Sequence, residues 1–348
     1  MDTITHALSG ALLARATTTK NASKAILSLR VRLAAGALAA AFPDTDFVIR
    51  LLFDPLTYFN THRGITHSII LMPIWAWLLA LLFSAFSRGK YKWKAFYTVS
   101  LMGIGIHIAG DVITTYGTMI LSPLSDYRAA FDTTFIIDPY FSAIILIGLI
   151  VSALLRSKRT AITALTVLSI YIGFQNLQHY RAIELGEQQV SAINIKNMKV
   201  AALPQPLSPF NWKIVLYDEN HYHVAFVNLI RTRAPAPVDD SAGFFGRINA
   251  IYRPINDLVW QHYARFGNND EDIELVKAAW GNKGFEGFRR FALFPKLYRV
   301  DRSEVNTCVW FTDLRFEIEG RTPPFRFGMC QVGEQWELRE LPRFKKDN

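Results

Sequence analysis

The sequence predicts a helical membrane bundle of about six helices, two of them short, over residues 1–180, followed by a water-soluble α+β domain over 181–348. Three observations carry this expectation. Apolar stretches approaching the roughly 20 residues of a membrane span recur at 65–86, 95–122, 134–155 and 160–178. Lys and Arg fall in short clusters between apolar runs, from Arg15 to Arg32, in "RGKYKWK" at 88–94 and in "RSKR" at 156–159, as membrane topology produces. From "RAIELGEQQV" onward the texture turns mixed polar and apolar, so the mean hydropathy of +0.15 averages two unlike halves.

Residues 3–15 and 31–42 are rich in Ala, Leu and Gly. At about 12 residues each they would cover only some two thirds of the hydrocarbon. They read as a short pair packed on the longer helices, because small residues let helix backbones approach closely. With the basic clusters in the cytoplasm, loops 43–63 and 123–133 face outside, together with the N-terminus and the C-terminal domain. The opening "MDTITHALSGALLARA" has neither the basic start nor the small-residue cleavage site of a secretory signal and reads as part of the mature protein. The expected location is the inner or plasma membrane, multi-pass, with the soluble domain extracytoplasmic.

In the soluble half, "WKIVLYDENHYHVAFVNLI" reads as two strands around a turn at "DEN". "VNTCVWFTDLRFEIEG", "FRFGMCQV" and "QWELREL" read as a meander broken at "RTPP" and "GE". Between them, 242–265 and 270–281 have helical spacing, the second opening at "NNDED" with an acidic first turn. Cys308 and Cys330, the two cysteines, form a disulfide or stay as core thiols depending on the compartment. The net charge of +9 is not arranged as a stripe interleaved with aromatics, so no nucleic-acid partner is expected. The oligomeric state is left open.

Ionisable groups are costly inside a membrane and are functional suspects there. His6 lies in the first short helix, Asp44 and Asp46 in "FPDTD" after the second, and His62, Arg63 and His67 in "HRGITHS" before the third. His107 and Asp111 sit in "GIHIAGDVITTYGT" and Asp138 in "IIDPY". His107 and Asp111, four apart, share a helix face. Both can bind one metal, Asp111 can fix the tautomer of His107, or the pair can simply join helices by hydrogen bonds. In the topology above all these residues fall toward one outer level of the bundle. Imidazole and carboxylate donors without cysteine suit zinc, and also manganese or iron, and more than four candidates suggest two or more ions.

Other polar residues have plainer readings. Asp44 or Asp46 can merely end a helix after Pro43, and Asp138, before Pro139, reads as an N-cap. Arg63 can clamp a phosphate oxygen or snorkel to headgroups. Thr66 and Ser68 can support the site by hydrogen bonds. His221 and His223 share a strand face and, with His262, leave room for a second metal site.

The ordered set "TITHALSG", "FPDTDFV", "HRGITHS", "HIAGDVITTYGTMILSP" and "FIIDPYF" resembles the YdjM-like family of membrane-bound metal-dependent hydrolases (LexA-binding, inner-membrane-associated) over about the first 150 residues. "LPQPLSPFNWKIV" and "FTDLRF" look like the C-terminal region of its longer members. The resemblance implies metal ligation by residues matching His6, Asp44, His62, His67, His107 and Asp111. More distantly, the order His, Pro-Asp, His and His-x-x-x-Asp is similar to zinc-dependent phospholipases C, which by analogy implies a lipid phosphoester.

The expected function is therefore hydrolysis of an ester, a phosphoester of a membrane lipid first, by metal-activated water. Asp44, Asp46, Asp111 and Arg63 are the catalytic candidates, and His6, Asp44, Asp46, His62, His67, His107 and Asp111 the metal ligands. The rivals are a metal or proton transporter and a catalytically inactive interaction or regulatory protein.

Overall fold

The structure, a computed structural model, describes residues 1–18, 27–52, 55–193, 197–235 and 243–342. The chain divides into two compact units, the first comprising Met1–Leu52, Thr61–His179 and Pro204–Pro209, the second Phe53–Asn60, Tyr180–Leu203 and Phe210–Asn348.

Eleven α-helices occur among the described residues, where the sequence suggests about six in the bundle and two beyond it. The chain opens with α1 (Thr3–Ala16) and α2 (Leu29–Ala41), then α3 (Ile49–Leu52) and α4 (Pro55–Thr61). Next come α5 (Met72–Phe86), α6 (Trp93–Val112), α7 (Pro139–Leu154) and α8 (Lys158–Ile193). The excess of three comes from short helices, α3 and α4 here and Glu286–Phe291 further on.

Of the four stretches that approach a span in sequence, α6 and α8 are long and apolar enough to cross a membrane. Residues Leu56–His67 and Met72–Phe86 form a third only if a pair bent by 77° is taken as one. The bend follows from Pro73 in the first turn of α5, where the missing N–H costs nothing, and from Ser68, whose Oγ accepts from Ile70 and Leu71 N–H. At 16 residues α7 is shorter than a full span.

Close helix approach in the first unit depends on three glycines. A Cβ on Gly10 would lie 2.2 Å from the Gly36 carbonyl oxygen, and one on Gly103 would lie 2.9 Å from the same atom. So α1, α2 and α6 cross backbone to backbone, as the small-residue pattern of the short pair predicts. Around this crossing, Ala39, Leu79, Ile104 and Ile108 bury α2, α5 and α6 against each other, while Leu12, Phe141, Ile145 and Ala164 join α1, α7 and α8.

The second unit holds two four-stranded sheets. In the first, β1 (Lys199–Pro204), β2 (Asn211–Tyr217), β3 (His221–Asn228) and β4 (Gln261–Ala264) lie in chain order. Three short helices follow sequence breaks: α9 (Phe244–Ala250), α10 (Ile273–Gly281) and α11 (Glu286–Phe291). The second sheet is an antiparallel meander of β5 (Pro295–Arg302), β6 (Thr307–Asp313), β7 (Phe327–Val332) and β8 (Gln335–Glu340).

The hairpin about "DEN" and the meander match the sequence reading. The helix expected over 242–265 does not form as such. Among its described residues α9 ends at Ala250, Pro254 blocks continuation, and 261–264 becomes an edge strand paired with β3. Cys308 and Cys330 lie directly opposite on β6 and β7 and are joined by a disulfide.

Candidate metal centre

Four segments of the first unit supply the polar residues. The helix α1 presents His6, the 3-10 turn Pro43–Val48 presents Asp44 and Asp46, and the turn ending at His67 follows His62 and Arg63. On α6, His107 and Asp111 point to the same place because they are four apart.

Asp111 is the centre. Its Oδ1 lies 3.1 Å from His6 Nε2, and its Oδ2 lies 3.2 Å from His67 Nε2 and 3.4 Å from His107 Nε2. The two imidazole nitrogens of His67 and His107 are 3.0 Å apart. Asp44 Oδ1 faces them at 3.9 and 3.7 Å. One ligand atom from each of His6, Asp44, His107 and Asp111 falls within 4.8 Å of all the others. His6, His67, His107 and Asp111 are buried, whereas the Asp44 and His62 side chains each keep 15% exposure, so the cluster opens past these two.

The donor chemistry fits a cation. His107 Nδ1 is 2.6 Å from the Ala40 carbonyl oxygen, which can only accept, so Nδ1 carries the hydrogen. That fixes the tautomer and turns the lone pair of Nε2 inward, toward Asp111 Oδ2, a buried oxygen that His67 Nε2 also faces. Two electron-rich atoms at this distance require a proton or a metal between them. Carboxylate oxygen and neutral imidazole are the donor set of zinc, manganese and iron sites.

Around this core stand supporting contacts. Asp46 Oδ1 is 2.8 Å from His62 Nδ1, and its Oδ2 accepts from the Arg63 backbone N–H at 3.0 Å. This carboxylate therefore ties down the loop that delivers His67, and neither Asp44 nor Asp46 merely ends a helix. Thr66 Oγ1 is 2.9 Å from His67 Nδ1, and Ser68 Oγ donates to the Ser122 carbonyl.

Arg63 does not snorkel to headgroups. It is 2% exposed, its Nη2 lies 2.9 Å from Asp111 Oδ1, its Nη1 donates to Thr114 Oγ1, and its guanidinium sits 4.8 Å from the Tyr116 ring centroid. Its backbone adopts φ 58°, a left-handed conformation that costs a non-glycine residue roughly 1 kcal/mol or more and that the contacts to Asp46 and Asp111 hold in place.

Asp138 stands apart from the cluster. It caps α7 by accepting from Tyr140 and Phe141 N–H and also accepts from Tyr171 and Gln175. In the second unit, His223 and His262 meet edge to face at 4.3 Å across β3 and β4, and His221 pairs with Asp218 instead. Among the described residues these imidazoles do not close into a ligand set.

The sequence reading did not single out Thr3, whose Oγ1 donates to Asp44 Oδ2 at 2.6 Å. Its signal was the spacing, since Thr3 lies one turn before His6 on the same helix face. The Met1 amino group, also unanticipated, contacts Asp111 Oδ1. Tyr116, beneath Arg63 and 5.2 Å from the His62 ring, could have been sought in the polar aromatic of "TTYGT".

Residues 1–182 match the model of the YdjM inner membrane protein family, which covers every residue of this cluster. The chain belongs to that family. Together with two helices able to cross a membrane, membership makes it a membrane protein. Beyond the family model, the chain is similar to the uncharacterized protein YfhP of Bacillus subtilis (strain 168), 23% identical over 263 residues, which cover 71% of this chain and 76% of that protein. No solved structure matches the chain, and none of these matches is a phospholipase C.

Proposed function

We propose that this YdjM family member is a metal-dependent hydrolase of the membrane that cleaves an ester, with a lipid phosphoester as the first substrate class. The observation that supports it is the convergence of the His107 Nε2 lone pair, His67 Nε2 and Asp111 Oδ2 in a buried site that opens past Asp44 and His62. In this reading His6, His67, His107 and Asp111 would hold one or more divalent ions, zinc first, with Asp44 beside them at the mouth. Asp111 would be the central ligand of that set, because its Oδ1 faces His6 while its Oδ2 faces His67 and His107.

A bound ion supplies a water of lowered pKa and stabilises charge on the scissile group. The chain does the rest. Asp44, at the mouth, is the carboxylate placed to take a proton from attacking water. Its Oδ2 is held by Thr3, which leaves Oδ1 directed inward. Arg63, paired with Asp111, orients that carboxylate and adds positive charge beside it. His62 and Asp46 form an oriented imidazole at the rim. The location proposed is the inner or plasma membrane, multi-pass, with the C-terminal domain outside the cytoplasm, where the Cys308–Cys330 disulfide would persist.

The test is turnover by the purified protein in mixed micelles of phospholipid, followed as release of the phosphorylated headgroup with zinc or manganese present. The reading expects activity that a chelator removes and that Asp111→Asn lacks. Activity indifferent to both would overturn it.

A further inference from the structure

Between α2 and α5 runs an apolar groove of about 680 Å³, a volume within the range of about 300–1,000 Å³ usual for ligand pockets. It exists because α2 and α5 each pack along α6 far more closely than on each other. Phe96 of α6, 2% exposed, forms its floor, and Leu38, Leu82 and Phe86 stand exposed at its rims. Polar groups occur at its two ends alone. Thr45 closes one end, and Ser87, Lys90 and Tyr91 close the other.

The lining selects the occupant. Along α2 from Val31 to Ala41, about 15 Å at 1.5 Å per residue, every lining side chain is apolar. An extended hydrocarbon chain finds there a continuous apolar bed.

Charge selects the headgroup. The Lys90 end lies in a turn that carries Arg88, Lys90, Lys92 and Lys94 within seven residues, and Tyr91 and Ser87 add hydroxyls there. Among the described residues that line it, the Thr45 end has no cation. We propose that this groove is a specific site for an anionic membrane lipid, whose phosphate sits at Lys90, Ser87 and Tyr91 and whose acyl chain lies between α2 and α5. None of the metal-cluster residues lines the groove, so lipid and metal binding are separable.

The experiment is photo-crosslinking of the full chain in phosphatidylcholine vesicles doped with phosphatidylglycerol or phosphatidylethanolamine, each carrying a diazirine at mid-chain, with labelled peptides mapped by mass spectrometry. The outer face of α7, where Leu146, Ile147 and Ile150 are exposed, serves as ordinary lipid-facing surface. The anionic probe should label 31–45 and 79–96 roughly tenfold more than α7, an affinity difference of ordinary size for a specific site. Leu38→Trp with Leu82→Trp should remove that excess, and Lys90→Glu should cut the preference for the anionic probe by about fivefold, the scale of one basic contact with an anionic lipid. His107→Ala should leave labelling unchanged. Equal labelling of groove and α7, or equal labelling by the two probes, would overturn the proposal.

Discussion

Both units bury charged side chains, and they do so in opposite ways. In the second unit Asp313 and Lys213 find their complements. Asp313 accepts from the Arg315 guanidinium and backbone and from Leu293 N–H, and the Lys213 ammonium donates to the carbonyls of Leu314 and Glu317. In the first unit one oxygen of Asp111 is met by Arg63 and the Met1 amino group, while the other lies beside the Nε2 atoms of His67 and His107, which crowd together. A satisfied buried pair holds a fold together, whereas an unsatisfied convergence of ligand atoms is costly unless something fills it. The contrast separates stability chemistry from site chemistry within one chain.

The sharpest way to break the comparison is to remove the centre of the first unit. Asp111→Asn should abolish bound metal and lower turnover by about a thousandfold or more while the protein stays folded in the membrane, the pattern of losing electrostatic stabilisation at a reacting centre. Elemental analysis and headgroup release read the two effects. A folded, metal-free but fully active variant would contradict the assignment.

The mirror experiment in the second unit is Asp313→Ala. It strands the buried Arg315 guanidinium and should destabilise that unit by about 3–5 kcal/mol in denaturant titration while leaving the metal content of the folded fraction intact. Loss of metal without loss of stability would mean that the two kinds of burial are not distinct.

A pH dependence follows from Lys213. Burial pushes its ammonium down to about 8, so between there and the free-lysine value the unfolded chain holds more protons than the folded one. Stability should therefore rise with pH across that window by roughly 2–3 kcal/mol, and Lys213→Met should flatten the slope. Thermal melts of wild type and variant from pH 7 to pH 10.5 give the comparison, and an unchanged slope would contradict it.

The smallest effect lies at the rim of the cluster. His62→Ala removes the partner of Asp46 but none of the inner ligands, and should weaken metal affinity by about 10- to 100-fold without abolishing it. Complete loss would place His62 among the direct ligands.

How much of this was legible depends on the range of each interaction. The spacing of His107 and Asp111 shows their shared helix face, and the Ala and Gly pattern shows the close approach of α1 and α2. The end of α6 at Val112 was hidden, because "ITTYGTMIL" continues apolar. What stops the helix is distant: Phe131 N–H takes the Val112 carbonyl and Thr133 and Thr134 take that of Ile113. Arg63 was ambiguous for the same reason, since its partner Asp111 lies 48 residues away. The edge strand at His262 was masked by helical spacing until β3 offered a pairing. Local periodicity reveals which residues share a face and leaves the partner of that face open.

The most direct test is the metal content of the detergent-purified protein, wild type beside His107→Ala. The account predicts at least one equivalent of zinc, manganese or iron in the wild type and none in the variant, with both proteins recovered folded from the membrane. A wild type that stays empty after each of these metals is supplied would contradict it, and the buried histidines and carboxylates of the first unit would then be proton-sharing groups that join helices.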